Sequence, residues 1–202
     1  MNHGLELRST TEQGWVDQVL AQPNALLNDH GHLERAAAAN ALQLMTRCPL
    51  HVPSERWIGR LTGLARDEVE HLGTVNSLLM SRGGAPTRSH VNPYARSLRS
   101  LVRMGQGVRE LIDRLLVSAL IEARSCERFD LLANAEHELS PLYAGLVASE
   151  AGHHRLFVNL ATAVDPGGKH GDVEERWQSL LDEEADLLAQ QPGGPRMHAG
   201  LD

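Results

Sequence analysis

The sequence predicts an all-α protein: a four-helix bundle with a long crossover between its second and third helices. Three observations predict this class. Strand-like alternation is nearly absent, four helix-periodic segments of roughly 18 to 29 residues follow one another, and the connections between them run short, long, short. At 202 residues, 42% hydrophobic but only 3% aromatic, the chain reads as one domain over residues 1–202 with an aliphatic core.

Each element has a local reason. Thr10-Thr11-Glu12-Gln13 has the spacing of a capping box and opens a short flanking helix that ends before Pro23. A polar stretch, "NDHGH", reads as a loop leading into "LERAAAANALQLMTRC", an alanine-rich helix stopped by Pro49. Ser54 is placed to cap the second long helix, which runs to Gly83-Gly84. Residues 83–107 form the crossover, with a short helix expected from Tyr94 to Arg103. The third long helix covers about Val108 to Ala135. Ser140-Pro141 supplies an N-cap and a first-turn proline for the fourth, which ends near Val164 before "DPGG". Asp172 caps a fifth amphipathic helix, and the tail after about Gln191 reads as irregular.

Composition excludes several classes. No run approaches the roughly 18 apolar residues of a membrane span, and the first twenty residues lack the layout of a signal peptide. Two cysteines, Cys48 and Cys126, are too few for a disulfide framework and fit a reducing compartment, so the cytoplasm is the expected location. The net charge is −7, but seven arginines between Arg82 and Arg114 face only Glu110 and Asp113, a local +5. A basic segment of that density on an acidic body can form an anion-binding surface.

The informative residues are those that interrupt the apolar stripes. The first long helix offers Glu34, the second Glu68 and His71, the third Glu122, and the fourth Glu150 and His153. The chain therefore reads Glu, Glu-x-x-His, Glu, Glu-x-x-His. An isolated Glu-x-x-His usually marks a core histidine beside an acid. Two of them, each preceded by a helix with an inward glutamate, form the ligand pattern of ferritin-like di-iron or di-manganese bundles. Four carboxylates and two imidazoles cannot share a core without compensating positive charge, and two divalent ions provide it. Carboxylate and imidazole donors favour iron or manganese over thiolate-loving ions.

Neighbouring polar residues have plainer readings. His154 is turned about 100° from His153, which places it at the surface or beside the ligands and not among them. Glu70 and Glu127 read as exposed helix acids, Cys126 as a buried inert thiol and Tyr143 as a core tyrosine. Asp67 is either an orienting partner for a ligand histidine or another exposed acid.

"LLNDHGHLERAAAANAL", "LARDEVEHL", "LIEARSCERF", "ASEAGHHRLF" and "RMHAG" together resemble, in order from about residue 12 to residue 200, the tRNA hydroxylase family called MiaE. The resemblance implies an oxygen-dependent monooxygenase that hydroxylates the isopentenyl group of 2-methylthio-N6-isopentenyladenosine beside the anticodon. It implies Glu34, Glu68, His71, Glu122, Glu150 and His153 as ligands to two iron ions, with manganese as the alternative metal. Dioxygen is then the co-substrate. A separate electron donor, a redox partner protein, is required because the chain has no flavin or nicotinamide motif. For a tRNA anticodon-loop partner the expected contacts are Arg88, Arg96, Arg99 and Arg103, from the basic crossover. Two departures stand out: Ser149 occupies the place that Asp67 holds in the first motif, and Gly31 and Leu33 flank His32. The competing class is a ferritin-like iron-handling or peroxide-detoxifying protein without an RNA substrate.

Overall fold

The computed structural model describes residues 5–201. Those residues are all-helical, without strands: α1 (Gly14–Leu20), α2 (Pro23–Met45), α3 (Ser54–Ser81), α4 (Pro93–Ser100), α5 (Val108–Ala133), α6 (Ser140–Val164) and α7 (Val173–Ala189). The pairs α2/α3 and α5/α6 are helical hairpins with short loops and extensive packing, and α4 sits inside the long crossover between them. Helix α3 packs on α6, whereas no comparably close packing joins α2 to α5. Helix α7 lies against α5 and α4, and α1 against α2.

Several helix ends form as their residues dictate. Gly83 takes φ 77° just past the α3 C-terminus, and the Gly83 and Gly84 amides donate to the Met80 and Leu79 carbonyls at 3.0 Å. Asp172 Oδ1 accepts the Glu174 amide at 2.8 Å, capping α7. Asn92 Oδ1 accepts the Ala95 amide at 3.0 Å, with Pro93 in the first turn of α4.

Other ends differ from expectation. No side chain caps α1; the adjacent Thr11 instead donates its amide and hydroxyl to Glu127, both at 2.7 Å, which ties the segment to α5. Ser54 and Ser140 are the first residues of their helices and not caps, and the Ser140 hydroxyl donates to the Ala135 carbonyl. The larger correction concerns "NDHGH". It is not a loop: α2 begins at Pro23 and runs straight through it. The helix holds because its polar residues find partners elsewhere. Asp29 pairs with His90 at 2.6 Å and accepts the Met197 amide at 2.7 Å, and His32 bonds Thr87 at 2.9 Å. Gly31 packs closely on α3: a Cβ there would meet Asn76 Oδ1 at 2.9 Å, so the Asn76 side chain would have to move.

The core has two apolar ends. One gathers Leu44, Trp57, Leu61, Leu115, Phe157 and Leu160, and the other Trp15, Leu27, Val75, Phe129, Tyr143 and Leu146. Along every long helix the residues between those ends are the charged ones: Glu34, Glu68 and His71, Glu122, Glu150 and His153. Burying a large apolar side chain contributes about 1.5–3 kcal/mol, so two such ends can hold a polar layer that would not assemble alone. No helix among the described residues is long and apolar enough to cross a membrane.

Candidate metal centre

A spacing of three places Glu68 with His71, and Glu150 with His153, on one face of α3 and of α6. The fold brings both pairs together with Glu34 from α2 and Glu122 from α5. One donor atom from each of Glu34, Glu68, His71 and Glu150 lies within 4.8 Å of the others. The same holds for Glu68, Glu122, Glu150 and His153. Glu68 and Glu150 belong to both groups. His71 Nδ1 stands 3.5 Å from both Glu34 Oε2 and Glu150 Oε1, and His153 Nδ1 is 2.7 Å from Glu68 Oε1 and 3.8 Å from Glu150 Oε1. Five of the six residues are buried, and His71 is nearly so.

These residues fit metal ions better than they fit each other. Glu68 Oε1, His71 Nδ1, Glu150 Oε1 and His153 Nδ1 are buried without a hydrogen-bond partner. Even the 2.7 Å approach of His153 to Glu68 lacks hydrogen-bond alignment. Orphaned buried donors and acceptors of this kind cost about 1–3 kcal/mol each and are rare in native cores. Among the described residues no lysine or arginine pairs with any of the four carboxylates. Burial pushes Glu68, Glu122 and Glu150 above the ordinary carboxylate range, and neighbouring carboxylates add to the push at Glu68 and Glu150. Burial acts on Glu34 in the same sense, but the adjacent His30 overrides it and holds Glu34 low. Two divalent ions would satisfy the donors and neutralise the four charges. The arrangement is suited to two metal ions.

The surroundings include one residue that pattern reading overlooked. His30, one turn before Glu34, is fully buried and hydrogen-bonds its carboxylate through Nε2. Its ring stacks on Tyr143 with centroids 5.5 Å apart. The His-x-x-x-Glu spacing was available as a signal, masked by the assignment of residues 28–32 to a loop. Ser149 lies within 3.3 Å of His153 Nε2, and Asp67 from the neighbouring helix within 3.6 Å. Asp67 thus faces the histidine of α6 and not that of its own helix. Glu70 is exposed beside Arg66. Tyr143 is a core residue, and burial pushes the Cys126 thiol up to about 11, which leaves it inert at neutral pH. His154 is buried, with Nδ1 3.0 Å from the Ala119 carbonyl and its ring against Trp177. Glu127 is also more than an exposed acid: it binds Thr11 and pairs with Arg124 at 3.1 Å.

Residues 3–199 match the family model described as tRNA-(MS[2]IO[6]A)-hydroxylase (MiaE). The chain belongs to the MiaE family. A tRNA 2-(methylsulfanyl)-N(6)-isopentenyladenosine(37) hydroxylase of Pseudomonas putida is 36% identical over 193 residues, spanning 95% of this chain and 90% of that protein. A protein of the same name from Salmonella typhimurium is 31% identical over 145 residues, 71% of this chain and 52% of its own length. A Synechococcus structure described as "Protein 43 with aldehyde deformylating oxygenase activity" shares the fold with a TM-score of 0.84, at 35% identity over 97% of both chains.

Two further features complete the centre in this MiaE-family chain. A cleft between α2, α4 and α5 counts Ala37, Val117, Ile121, Arg99 and Glu122 among its walls. The four arginines singled out from the sequence separate into two kinds. Arg88, Arg96 and Arg99 are exposed and make no ion pair among the described residues. Arg103 is committed: Nε and a terminal nitrogen donate to the buried Asp113 carboxylate at 2.8 and 2.7 Å.

Proposed function

We propose that this chain is a di-iron monooxygenase that hydroxylates the isopentenyl group of 2-methylthio-N6-isopentenyladenosine in tRNA. The observation that carries the reading is the buried carboxylate–histidine layer with its orphaned donor atoms, in a chain whose family and curated relatives are named for that reaction. Glu34 and His71 would hold one ion, Glu122 and His153 the other, and Glu68 and Glu150, common to both donor groups, would serve both. Bound there, two iron ions supply activation of dioxygen for insertion of one oxygen atom into a C–H bond. The second oxygen atom leaves as water, which takes two electrons and two protons from outside. A separate redox partner therefore delivers the electrons, and manganese is the alternative occupant.

The chain's own residues supply the rest. The carboxylates set the charge and can change how they bind as the metals change oxidation state. Ser149 and Asp67 flank His153 Nε2 and hold the imidazole with Nδ1 facing the carboxylates. His30 holds Glu34 in the same way. The apolar ends of the core keep water from the centre. Arg88, Arg96 and Arg99 offer exposed guanidinium groups, without an ion pair among the described residues, for an anticodon-loop backbone; Arg103 is held by Asp113.

The test is nucleoside analysis by mass spectrometry. Iron-loaded protein, a reductant and air are mixed with tRNA bearing the prenylated nucleoside, and the nucleoside should gain one oxygen atom. The likeness to the Synechococcus protein makes an aldehyde the competing substrate. Conversion of aldehyde with untouched tRNA would overturn the reading in favour of that chemistry. Iron uptake with neither conversion would favour an iron-handling protein.

A further inference from the structure

We propose that the cleft between α2, α4 and α5 is the port through which the substrate's hydrocarbon group reaches the metal centre, with Arg99 binding backbone phosphate at its mouth. The inference rests on the RNA-hydroxylase reading and adds its route and its rim contact. Four other clefts on the described surface have none of the six metal-layer residues in their walls. This one contains Glu122. Its space of about 80 Å³ is enough for a small hydrocarbon group.

The fold gives a reason for the opening. Helix α3 packs on α6, and that pair carries both histidines. Helices α2 and α5 lack comparable packing, and the side chains facing the space from α2 include Ala36 and Ala37, too small to fill it. Leu33, Val117 and Ile121 make the rest of the lining apolar.

The polar groups in the walls are mostly engaged. Asn40 Nδ2 donates to the Ser118 hydroxyl at 2.9 Å, which donates to the Arg114 carbonyl at 2.8 Å. Arg114 pairs with Glu110 at 2.8 Å, and Asn92 caps α4. Glu122 belongs to the metal layer, and the exposed Arg99 guanidinium has no ion-pair partner among the described residues. An apolar passage with a metal ligand in one wall and a lone cation in another matches a nucleoside whose prenyl tail and phosphate point in opposite directions.

The experiment uses metal-loaded full-length protein, the free prenylated nucleoside as a calorimetric probe, and prenylated tRNA. Ala37→Leu fills the cleft from α2, and Ile121→Phe narrows it from α5; Leu42→Phe adds the same kind of bulk at an exposed α2 position outside the cleft. The plugged variants should keep about two metal ions and parental tRNA affinity. They should lose at least about tenfold in nucleoside affinity and in hydroxylated product, while Leu42→Phe behaves as parent. Arg99→Ala should weaken tRNA binding and reduce its salt dependence by about one unit of log–log slope. Arg56→Ala, at the far end of α3, should do neither. Parental nucleoside binding and hydroxylation in whichever plugged variant retains its metal would overturn the port and leave the reaction standing. A metal-loaded parent that never hydroxylates the nucleoside in tRNA would overturn the reaction, and the port with it.

Discussion

Two buried polar clusters lie on α5 within one turn of each other, and they solve the same problem in opposite ways. Around Arg124 the charges close on themselves. Its guanidinium donates to both oxygens of Glu184 at 2.9 Å, to Glu127 at 3.1 Å and to Ser9, and Tyr94 donates its hydroxyl to Glu184 at 2.9 Å. Arg124 and Glu184 are both fully buried. Around Glu122 the charges do not balance: four carboxylates and two imidazoles meet, with orphaned donor atoms and, among the described residues, no lysine or arginine paired with them. A core tolerates buried charge only when the charge is balanced. The first cluster carries its counter-charge in the chain, and the second lacks one among the described residues, which is the charge the proposed metal ions would supply.

The sharpest way to break that comparison is to take donors from the second cluster. The parent should hold about two metal ions per chain by elemental analysis. Glu68→Ala or Glu150→Ala removes a residue common to both donor groups and should leave almost none, whereas Glu34→Ala should spare the group it does not belong to and leave about one. His153→Ala and His71→Ala, each in one donor group only, should likewise drop to about one ion and lose activity with it. His154→Ala should keep its metal, since that imidazole is engaged by the Ala119 carbonyl. Full occupancy in Glu150→Ala would show that the layer is not a metal site.

The first cluster should respond in stability and not in metal. Glu184→Ala strands Arg124 without its main counter-charge and removes the acceptor of the Tyr94 hydroxyl. Breaking one partner of a buried pair costs about 3–5 kcal/mol. Denaturant melts should show that loss, with metal content per folded chain unchanged. Replacing both partners with apolar residues should recover much of it. A benign Glu184→Ala would mean that this network is not what balances the buried guanidinium.

The same contrast explains which parts were legible in the sequence. That Glu34, Glu68, His71, Glu122, Glu150 and His153 share one buried layer was legible because each interrupts an apolar stripe and four of them repeat at helical spacing, a signal contained in single helices. The Arg124–Glu184 pair spans 60 positions, and Glu184 in "DEEADLL" looks like any surface acid. Only the docking of α7 on α5 reveals it. The N-terminal half of α2 was hidden for a related reason. Asp29, His30 and His32 read as loop residues until His90, Glu34 and Thr87 are seen to take up their polar atoms. Arg103 shows the converse. Charge density groups it with the exposed arginines, and Asp113, ten residues on, takes it away.

Asp113 provides a smaller, pH-dependent test. Burial works against its charge, but hydrogen bonds from Arg103 and Arg176 hold its carboxyl below the ordinary aspartate value of 3.8. A depressed carboxylate stabilises the fold fully above the unfolded value. As pH falls below about 3.8 the unfolded chain takes up the proton first, and that contribution is lost by the time the folded group protonates. Asp113→Asn should therefore cost about 2 kcal/mol at neutral pH. The gap to the parent should narrow in acid-range melts below that value. A gap that stays constant through the acid range would assign the effect to packing and not to ionisation.

The smallest effect on the fold belongs to the arginines that neither cluster uses. Arg88, Arg96 and Arg99 are exposed and unpaired among the described residues, so replacing all three with alanine should change stability by less than about 0.5 kcal/mol and metal content not at all. Their effect should appear only with RNA. Removing one arginine from a phosphate makes the salt dependence of binding shallower by close to one unit of log–log slope, so the triple variant should flatten it by roughly two to three units and weaken binding most at low salt. Arg103→Ala should do the reverse. Its guanidinium is held by Asp113, so its loss should lower stability and leave the salt slope unchanged. Binding titrations at several salt concentrations, set beside melts of the same two proteins, separate the alternatives. An Arg103 variant that lost RNA affinity without losing stability would show that the ion pair opens to bind RNA. A triple variant with parental affinity at every salt concentration would move the RNA surface off the crossover altogether.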